Sequence, residues 1–386
     1  MKKIIFDLSA TQPIGNIKFH GGGKYGIVLF KHLCSIEANK VAVFYDRHKY
    51  IDPEISQIIE DKNIKVYLDE NINIYEAARK EAGIIYSPLY YPDLNHFPPK
   101  DITVIFTQHG LRRFEMPSDK YESAYIQRDL SVMNRIKLYL RSLLPLRQKH
   151  YRRHEFLFNQ ANIHFVTVSE HSKYSILSFF PKVKADSIKV FYSPSTIDNQ
   201  IILENMENTY GKYWLMVSGN RWVKNSIRAI LAFDELFTER KDLQGNVIIT
   251  GLSEWRQIKC MVKNRDRFIL KGYVDEIELK ELYKNAYALV YPSLNEGFGY
   301  PPLEAMHEGC PVMASAIASI PEVCGDSVLY FNPLLISEIK MRVLNMEDLH
   351  IREQYIKMGY ARFNLIKKRQ DNDLKGLCNY ILSFLS

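Results

Sequence analysis

Two glutamates eight positions apart, Glu296 and Glu304, bracket a glycine turn in the run Tyr291-Pro-Ser-Leu-Asn-Glu296-Gly-Phe-Gly299-Tyr-Pro-Pro-Leu-Glu304. A carboxylate accepts from two hydroxyls at once, so such a pair can grip the vicinal diols of a ribose or hexose. The same pair could serve as an acid and a base. The turn follows a strand-like run and leads into a helix expected to open at Pro301 or Pro302, where a missing N–H costs nothing. Free amides at that helix start, with Gly297 and Gly299 permitting close approach, suit an anionic or polyhydroxylated ligand. Taken singly, Glu304 could do no more than complement the helix dipole, and Glu296 could be a solvated loop charge.

Other clusters offer related chemistry. Arg221 and Lys224 stand three apart in Val217-Ser-Gly-Asn-Arg221-Trp-Val-Lys224-Asn225, between a strand-like run and a helix. Two cations there can neutralise a departing diphosphate; the plain alternative is surface charge. Phe19-His20-Gly21-Gly22-Gly23-Lys24-Tyr25-Gly26 lets backbone approach a phosphate or an acceptor, although its spacing is neither a dinucleotide fingerprint nor a P-loop. His109, in Thr107-Gln-His-Gly110, can hydrogen-bond a sugar hydroxyl or assist proton transfer, or be simply structural. Glu322 reads first as a helix-cap carboxylate, and His20, His171, Arg112 and Arg113 are secondary candidates. From Arg128 to Arg153 run Arg135, Lys137, Arg141, Arg147, Lys149, Arg152 and Arg153, opposed by Asp129 alone and interleaved with leucines and tyrosines. Such a stretch reads as a membrane or acceptor patch, against the alternative of a solvated helix face.

The elements that must position these groups alternate. Apolar runs at Ile4–Leu8, Val41–Tyr45, Ile64–Leu68, Ile84–Ser87, Val104–Thr107, Phe165–Val168 and Lys189–Tyr192 are separated by helical stretches. A second set follows at Trp214–Ser218, Val247–Thr250, Phe268–Lys271, Ala288–Tyr291, Pro311–Ala314 and Val328–Phe331. Most are continuously apolar, as strands buried on both faces of a parallel sheet are. The pattern predicts an α/β protein of two doubly wound sheets in sequence. The boundary falls in the polar stretch from Ser193 to Lys212, giving domains at 1–195 and 210–350. Helices over 351–386 show apolar spacings of three and four; that face must pack on something, and either domain could supply it, the first by packing back.

Composition bounds the rest. At 386 residues, with 46% hydrophobic and 25% charged residues, the chain is a globular protein of two domains. Five scattered cysteines without a Cys-x-x-Cys pair support neither a zinc knuckle nor a disulfide scaffold. No Asp-x-Asp stands out, so no metal and no cofactor are expected. A net charge of +7 favours an anionic partner. No aromatic-basic module points to nucleic acid. Asp7 breaks the first apolar run and no uncharged stretch is long enough to span a bilayer, so the expected location is cytoplasmic.

The Glu296–Glu304 run resembles the E-x7-E signature of glycosyltransferase family 4, retaining enzymes of GT-B fold. The likeness continues through Gly309-Cys-Pro-Val312, Ile320-Pro-Glu-Val-Cys-Gly325 and Val328-Leu-Tyr-Phe-Asn-Pro333. Upstream it takes in Val217 to Asn225, Gly272-Tyr273-Val274 and Val166-Thr-Val-Ser-Glu-His-Ser172. It implies two facing Rossmann-like domains with a central cleft, the first holding acceptor and the second a nucleotide diphosphate sugar, GDP- or UDP-linked. By the same resemblance, Arg221 and Lys224 hold the diphosphate with the loop of Gly22 and Gly23. Glu304 holds the ribose, and Tyr273 and Val274 form the nucleobase loop. Glu296 meets the transferred sugar with the amides of Gly297, Phe298 and Gly299, and His109 joins it in catalysis. A saccharide or polyprenyl-linked acceptor, the inner membrane surface, and O-antigen or capsule assembly complete the expectation. The family often follows this histidine with Asp; here Gly110 stands instead, which removes a His–Asp pairing. The rival readings are a silent glycosyltransferase-like scaffold subunit and a glycoside hydrolase.

Overall fold

The computed structural model describes residues 2–13, 21–89, 98–116, 119, 121–125, 133, 146–197 and 208–385, with backbone alone at 123, 146–150, 256 and 257. The chain divides into two compact units. Unit 1 comprises Met1–Leu111, Arg147–Thr196 and Lys367–Ser386; unit 2 comprises Arg112–Leu146 and Ile197–Ile366. This is not a division into consecutive blocks, because 112–146, inside the expected first domain, belongs with unit 2.

Unit 1 is built on β1 (Ile4–Asp7), β2 (Val41–Tyr45), β3 (Lys65–Leu68), β4 (Ile84–Ser87), β5 (Val104–Gln108), β6 (Ile163–Thr167) and β7 (Lys189–Val190). They form a parallel sheet in the order β3-β2-β1-β4-β5-β6-β7. Unit 2 contains β8 (Tyr213–Met216), β9 (Asn246–Thr250), β10 (Phe268–Lys271), β11 (Ala288–Tyr291), β12 (Val312–Ser315) and β13 (Leu329–Phe331). Its parallel order is β10-β9-β8-β11-β12-β13. Every strand-like run of the sequence is a strand, with ends displaced by a residue or two. β6, for instance, begins at Ile163 rather than Phe165. Both sheets are doubly wound, each reversing direction beside its first strand, between β1 and β4 and between β8 and β11.

The strands form because their side chains leave water on both faces. Ile4, Ile5 and Phe6 of β1, and Val247, Ile248 and Ile249 of β9, are fully buried. Edge strand β3 instead leaves Lys65 and Val66 exposed. Helix starts are written in the sequence as side-chain caps. Asp52 accepts from Glu54 N–H ahead of Pro53, Asn73 from Glu76 N–H, Ser169 from Ser172 N–H and Asp275 from Glu278 N–H. Among the described residues no helix is long and apolar enough to cross a membrane.

The last helix, Leu349–Leu382, contributes to both units. In unit 2, Arg362 donates to the carbonyls of Val323 (2.7 Å) and Glu322 (2.5 Å), closing the short helix Ile320–Cys324. In unit 1, Asp373 accepts from Tyr192 N–H at 2.8 Å, Gln370 donates to the Ser193 carbonyl, and Leu377, Cys378 and Ile381 are buried.

The reversal in unit 1 tolerates little extra volume. A Cβ on Gly83 would strike the Lys3 carbonyl, which accepts from Ile84 N–H at 3.1 Å where β1 meets β4. Backbone cannot rotate away as a side chain can, so Gly83→Ala is expected to cost unit 1 about 2–3 kcal/mol. The three tryptophans, Trp214, Trp222 and Trp255, all lie in unit 2. Urea unfolding followed by far-ultraviolet circular dichroism should therefore begin earlier in the variant, while the tryptophan fluorescence transition moves less.

Candidate functional site

The loops leaving the carboxyl ends of β8 and β11, on either side of the reversal in unit 2, carry the two clusters singled out above. Ligands of open α/β sheets bind at this place. After β8 the chain makes a tight turn over Trp222–Lys224 and passes through Asn225, left-handed at φ 54°, into the helix Ser226–Glu239. Asn225 is buried and bridges the two loops, donating to the carbonyls of Pro292 (3.0 Å) and Pro333 (2.8 Å). The backbone repeats the link, Leu294 N–H donating to the Val223 carbonyl at 2.7 Å.

This bracing brings Lys224 against Glu296. The buried ammonium donates to Glu296 Oε1 at 2.7 Å and to the Tyr291 hydroxyl at 2.8 Å, and the Ser293 hydroxyl donates to the same carboxylate oxygen at 2.5 Å. Burial alone would push the Glu296 carboxyl up, but the Lys224 charge and hydrogen bond, with Ser293, bring it down to about 2. Burial also draws the Lys224 ammonium below the ordinary lysine range, with Glu296 opposing and Arg221 and Arg112 adding to the shift. Arg221 is exposed, and among the described residues its guanidinium has no hydrogen bond or ion pair.

The turn between the glutamates is held from behind. Ser319, fully buried, offers its hydroxyl to the carbonyls of Glu296 (2.9 Å) and Phe298 (3.0 Å), and Ser315 donates to the Ser293 carbonyl at 2.6 Å. Gly299 takes φ 98°, a conformation that excludes most side chains, and starts the helix Tyr300–His307 one residue ahead of the expected prolines. The Phe298 side chain is buried against Tyr300, so that residue can offer a ligand its backbone only. On the helix, Glu304 Oε2 accepts from the Tyr283 hydroxyl at 3.0 Å. Burial, and then the Glu304 charge, push the Tyr283 phenol well above its usual range, so it remains a donor. Tyr273 is 73% exposed and Val274 half-buried on a loop that Gly251 N–H pins through the Gly272 carbonyl at 2.8 Å.

Sequence reasoning missed several supports of this site, Ser315 among them. Ser293 and Tyr291 lay within the quoted run but were read as strand end and turn. Ser319 precedes the Ile320-Pro-Glu motif, where a serine suggests no more than a cap. Tyr283 comes from a different helix, and no local signal ties it to Glu304.

In unit 1, the remaining candidates gather at strand ends near the other reversal. His109 follows β5, and its Nε2 faces the Pro88 carbonyl at 2.8 Å, which selects the tautomer protonated there. The Tyr25 ring meets the imidazole edge-on at 4.8 Å between centroids, and the Ser172 hydroxyl donates to the His109 carbonyl at 3.4 Å. Asp7, at the end of β1, accepts from the hydroxyls of Ser9 (2.5 Å) and Ser87 (2.8 Å); burial pushes its carboxyl up despite them. Gly22 and Gly23 lie in the first turn of the helix Gly21–Glu37, and a Cβ on Gly22 would press on Leu89 at 2.8 Å. His20, Arg135, Lys137 and Arg141 lie outside the described residues, as do the side chains of Arg147 and Lys149. On the helix Leu146–Phe158, Arg152 is exposed and Arg153 half-buried, whereas Leu157 and Phe158 enter the core.

The buried ion pair generates a test of stability. Lys224→Met leaves Glu296 without its counter-charge and is expected to cost about 3–5 kcal/mol, most of it recovered in the Lys224→Met/Glu296→Gln double variant. The Glu296 carboxyl is depressed in the fold, so its contribution is complete above its unfolded value near 4.5 and is lost as pH falls toward about 2. The difference in unfolding free energy between the protein and Glu296→Gln, measured in urea, should therefore shrink as pH drops below about 4.5.

Comparison with known proteins follows the same division. Residues 200–360 match the family described as Glycosyl transferases group 1. The chain is 30% identical over 271 residues to an O-antigen chain mannosyltransferase of Salmonella typhimurium, covering 69% of this chain and 65% of that protein, slightly under two thirds of its length. It is 26% identical over 388 residues to O-antigen chain mannosyltransferase B of Escherichia coli, covering 93% of this chain and 94% of that one. Sucrose-phosphate synthase of Thermosynechococcus elongatus superposes with a TM-score of 0.67 at 14% identity, over the full length of both chains. Its paired doubly wound sheets are those of the GT-B fold, and residues 200–360 are similar to the group 1 glycosyltransferases.

Proposed function

We propose that the protein transfers a mannosyl residue, with retention of anomeric configuration, from guanosine-diphosphate-linked mannose to a saccharide or polyprenyl-linked acceptor during O-antigen chain assembly. The observation that carries the reading is the arrangement at the β8–β11 reversal: a charge-locked Glu296 on Lys224, exposed Arg221, and Glu304 one helical turn into Tyr300–His307. The O-antigen mannosyltransferases among its relatives support the choice of sugar and pathway.

In this proposal Glu304 accepts from the ribose hydroxyls, with Tyr273 and Val274 beside the base. Arg221 and Lys224 take the diphosphate, and stabilise the leaving group with helix-start amides in place of a metal. Glu296 accepts from hydroxyls of the transferred sugar, joined by the Gly297 to Gly299 backbone. In unit 1, His109 is assigned to a sugar or acceptor hydroxyl, and Gly22 and Gly23 to close backbone approach. The hydrolase alternative fits Glu296 poorly. A general acid needs a raised pKa, and this carboxyl is held down to about 2.

Purified protein should show a larger thermal shift with GDP-mannose than with UDP-glucose, and should turn GDP-mannose over slowly to GDP. Glu296→Gln, which keeps the shape and an acceptor for Lys224, is expected to lower that turnover by about 100-fold or more while leaving the circular-dichroism spectrum unchanged. Equal shifts with both donors would remove the mannosyl assignment. Cleavage of an aryl mannoside without any nucleotide donor would support the hydrolase instead.

We further propose a cytoplasmic protein that meets the inner membrane surface through the basic stretch between Arg128 and Arg153. Co-sedimentation with vesicles should then need anionic lipid and weaken with salt; equal sedimentation with zwitterionic vesicles would rule this out.

A further inference from the structure

Between β5 and the helix Leu146–Phe158 the chain leaves unit 1, and described residues of 112–125 are fastened to unit 2. Three attachments hold them. Asn295 donates to Glu115. Arg228, buried and lying over the Tyr121 ring, donates to Asp119 at 2.6 Å. The Tyr125 hydroxyl accepts from Ile227 N–H at 3.0 Å and lies 2.9 Å from the Ser226 hydroxyl, which itself donates to the Gly219 carbonyl. Tyr121, Ala124 and Tyr125 also pack on the apolar core of unit 2. The segment is therefore a fixed part of that unit on this evidence of bonding, anchored to both loops of the candidate site.

The first anchor decides what its helical turn presents. Arg112 and Glu115 are three residues apart on the turn Arg112–Glu115, so they share a face, while Phe114 is buried on the other. With Glu115 bonded to Asn295, that face lies over the residue next to Glu296. Arg112 itself is exposed, and among the described residues its guanidinium makes no hydrogen bond or ion pair. Its charge is nonetheless felt at both Lys224 and Glu296.

Charge counting shows why this matters. Lys224 is already compensated by Glu296, so the pair brings no net charge to a ligand. Of the two motif cations, Arg221 is then the one with uncompensated charge for a departing diphosphate, which carries about two to three negative charges at neutral pH. We infer that Arg112 is a second guanidinium for the donor diphosphate, delivered to unit 2 by the docked 112–125 segment. The inference rests on the donor-site reading proposed above, and gives a specific role to Arg112, a secondary candidate of the sequence.

Titration calorimetry on the full chain with GDP and UDP, and with guanosine and uridine, tests it. Arg112→Ala is expected to weaken the preferred nucleoside diphosphate by on the order of tenfold, leaving the matching nucleoside within about twofold. Arg112→Lys should recover part of the loss, since it restores charge but not the planar fork. Equal losses for diphosphate and nucleoside would show that Arg112 only shapes the site, and no loss for either would overturn the inference while leaving the donor site standing. Failure of the unaltered protein to bind either diphosphate would overturn both.

Discussion

A lysine and a glutamate taken together out of water must satisfy each other and nearly every remaining lone pair and proton, because each buried ion costs several kcal/mol to desolvate. In unit 2 this requirement is met by Lys224 and Glu296, with Tyr291 accepting from the ammonium and Ser293 donating to the carboxylate. Four residues, Tyr291 at the end of β11 and three from the loops after β8 and β11, have to converge within hydrogen-bond distance, so the loops must leave adjacent strands at the same end of the sheet. Parallel pairing of β8 with β11 supplies that adjacency, and the reversal of strand order opens the crevice in which the pair sits. The ion pair thus depends on the winding of the whole sheet, although its members are 72 residues apart.

The surrounding polar groups convert adjacency into fixed geometry. Asn225 fits a left-handed position because its short amide can reach two carbonyls, Pro292 and Pro333, while accepting from Arg228. Ser319 and Ser315 bind carbonyls of the glutamate turn from beneath, so buried backbone oxygens that the turn cannot pair are satisfied. A buried, fully bonded network of this type resists displacement, since moving one member strands its partners. A site built this way can present carboxylates and amides without reorganising, which is what recognition of charge in a crevice demands.

What could be read in the sequence, and what could not, follows the range of the forces involved. Strands were legible because double burial requires uninterrupted apolar runs: Ile4-Ile5-Phe6 and Val247-Ile248-Ile249 admit few other readings. The helix start expected at Pro301 or Pro302 was equally local, and lies one residue away at Tyr300. Glu296, Glu304, Arg221 and Lys224 stood out because their spacing around strand ends is a short-range pattern. The contact between Lys224 and Glu296 was not legible, since it depends on which strands neighbour each other. Tyr283 escaped for the same reason. The docking of 112–125 was hidden more deeply: its anchors, Asp119 and Arg228, lie 109 residues apart, and a lone Asp between turns has no periodicity to betray it.

Two glutamates in one loop-and-helix motif invite treatment as a matched pair, but their surroundings make them different groups. Glu296 is locked ionised by a cation it cannot leave without stranding a buried lysine, and part of its acceptor capacity is spent on Lys224 and Ser293. Glu304 meets a different group: the Tyr283 hydroxyl, a neutral donor, fixes one of its oxygens. A neutral donor orients the carboxylate without the charge attraction that locks Glu296 onto Lys224. Division of labour between the two therefore comes from their partners, Lys224 in one case and Tyr283 in the other. The spacing of eight residues serves to put one glutamate ahead of the helix start and the other within it, either side of the amides that Gly299 exposes.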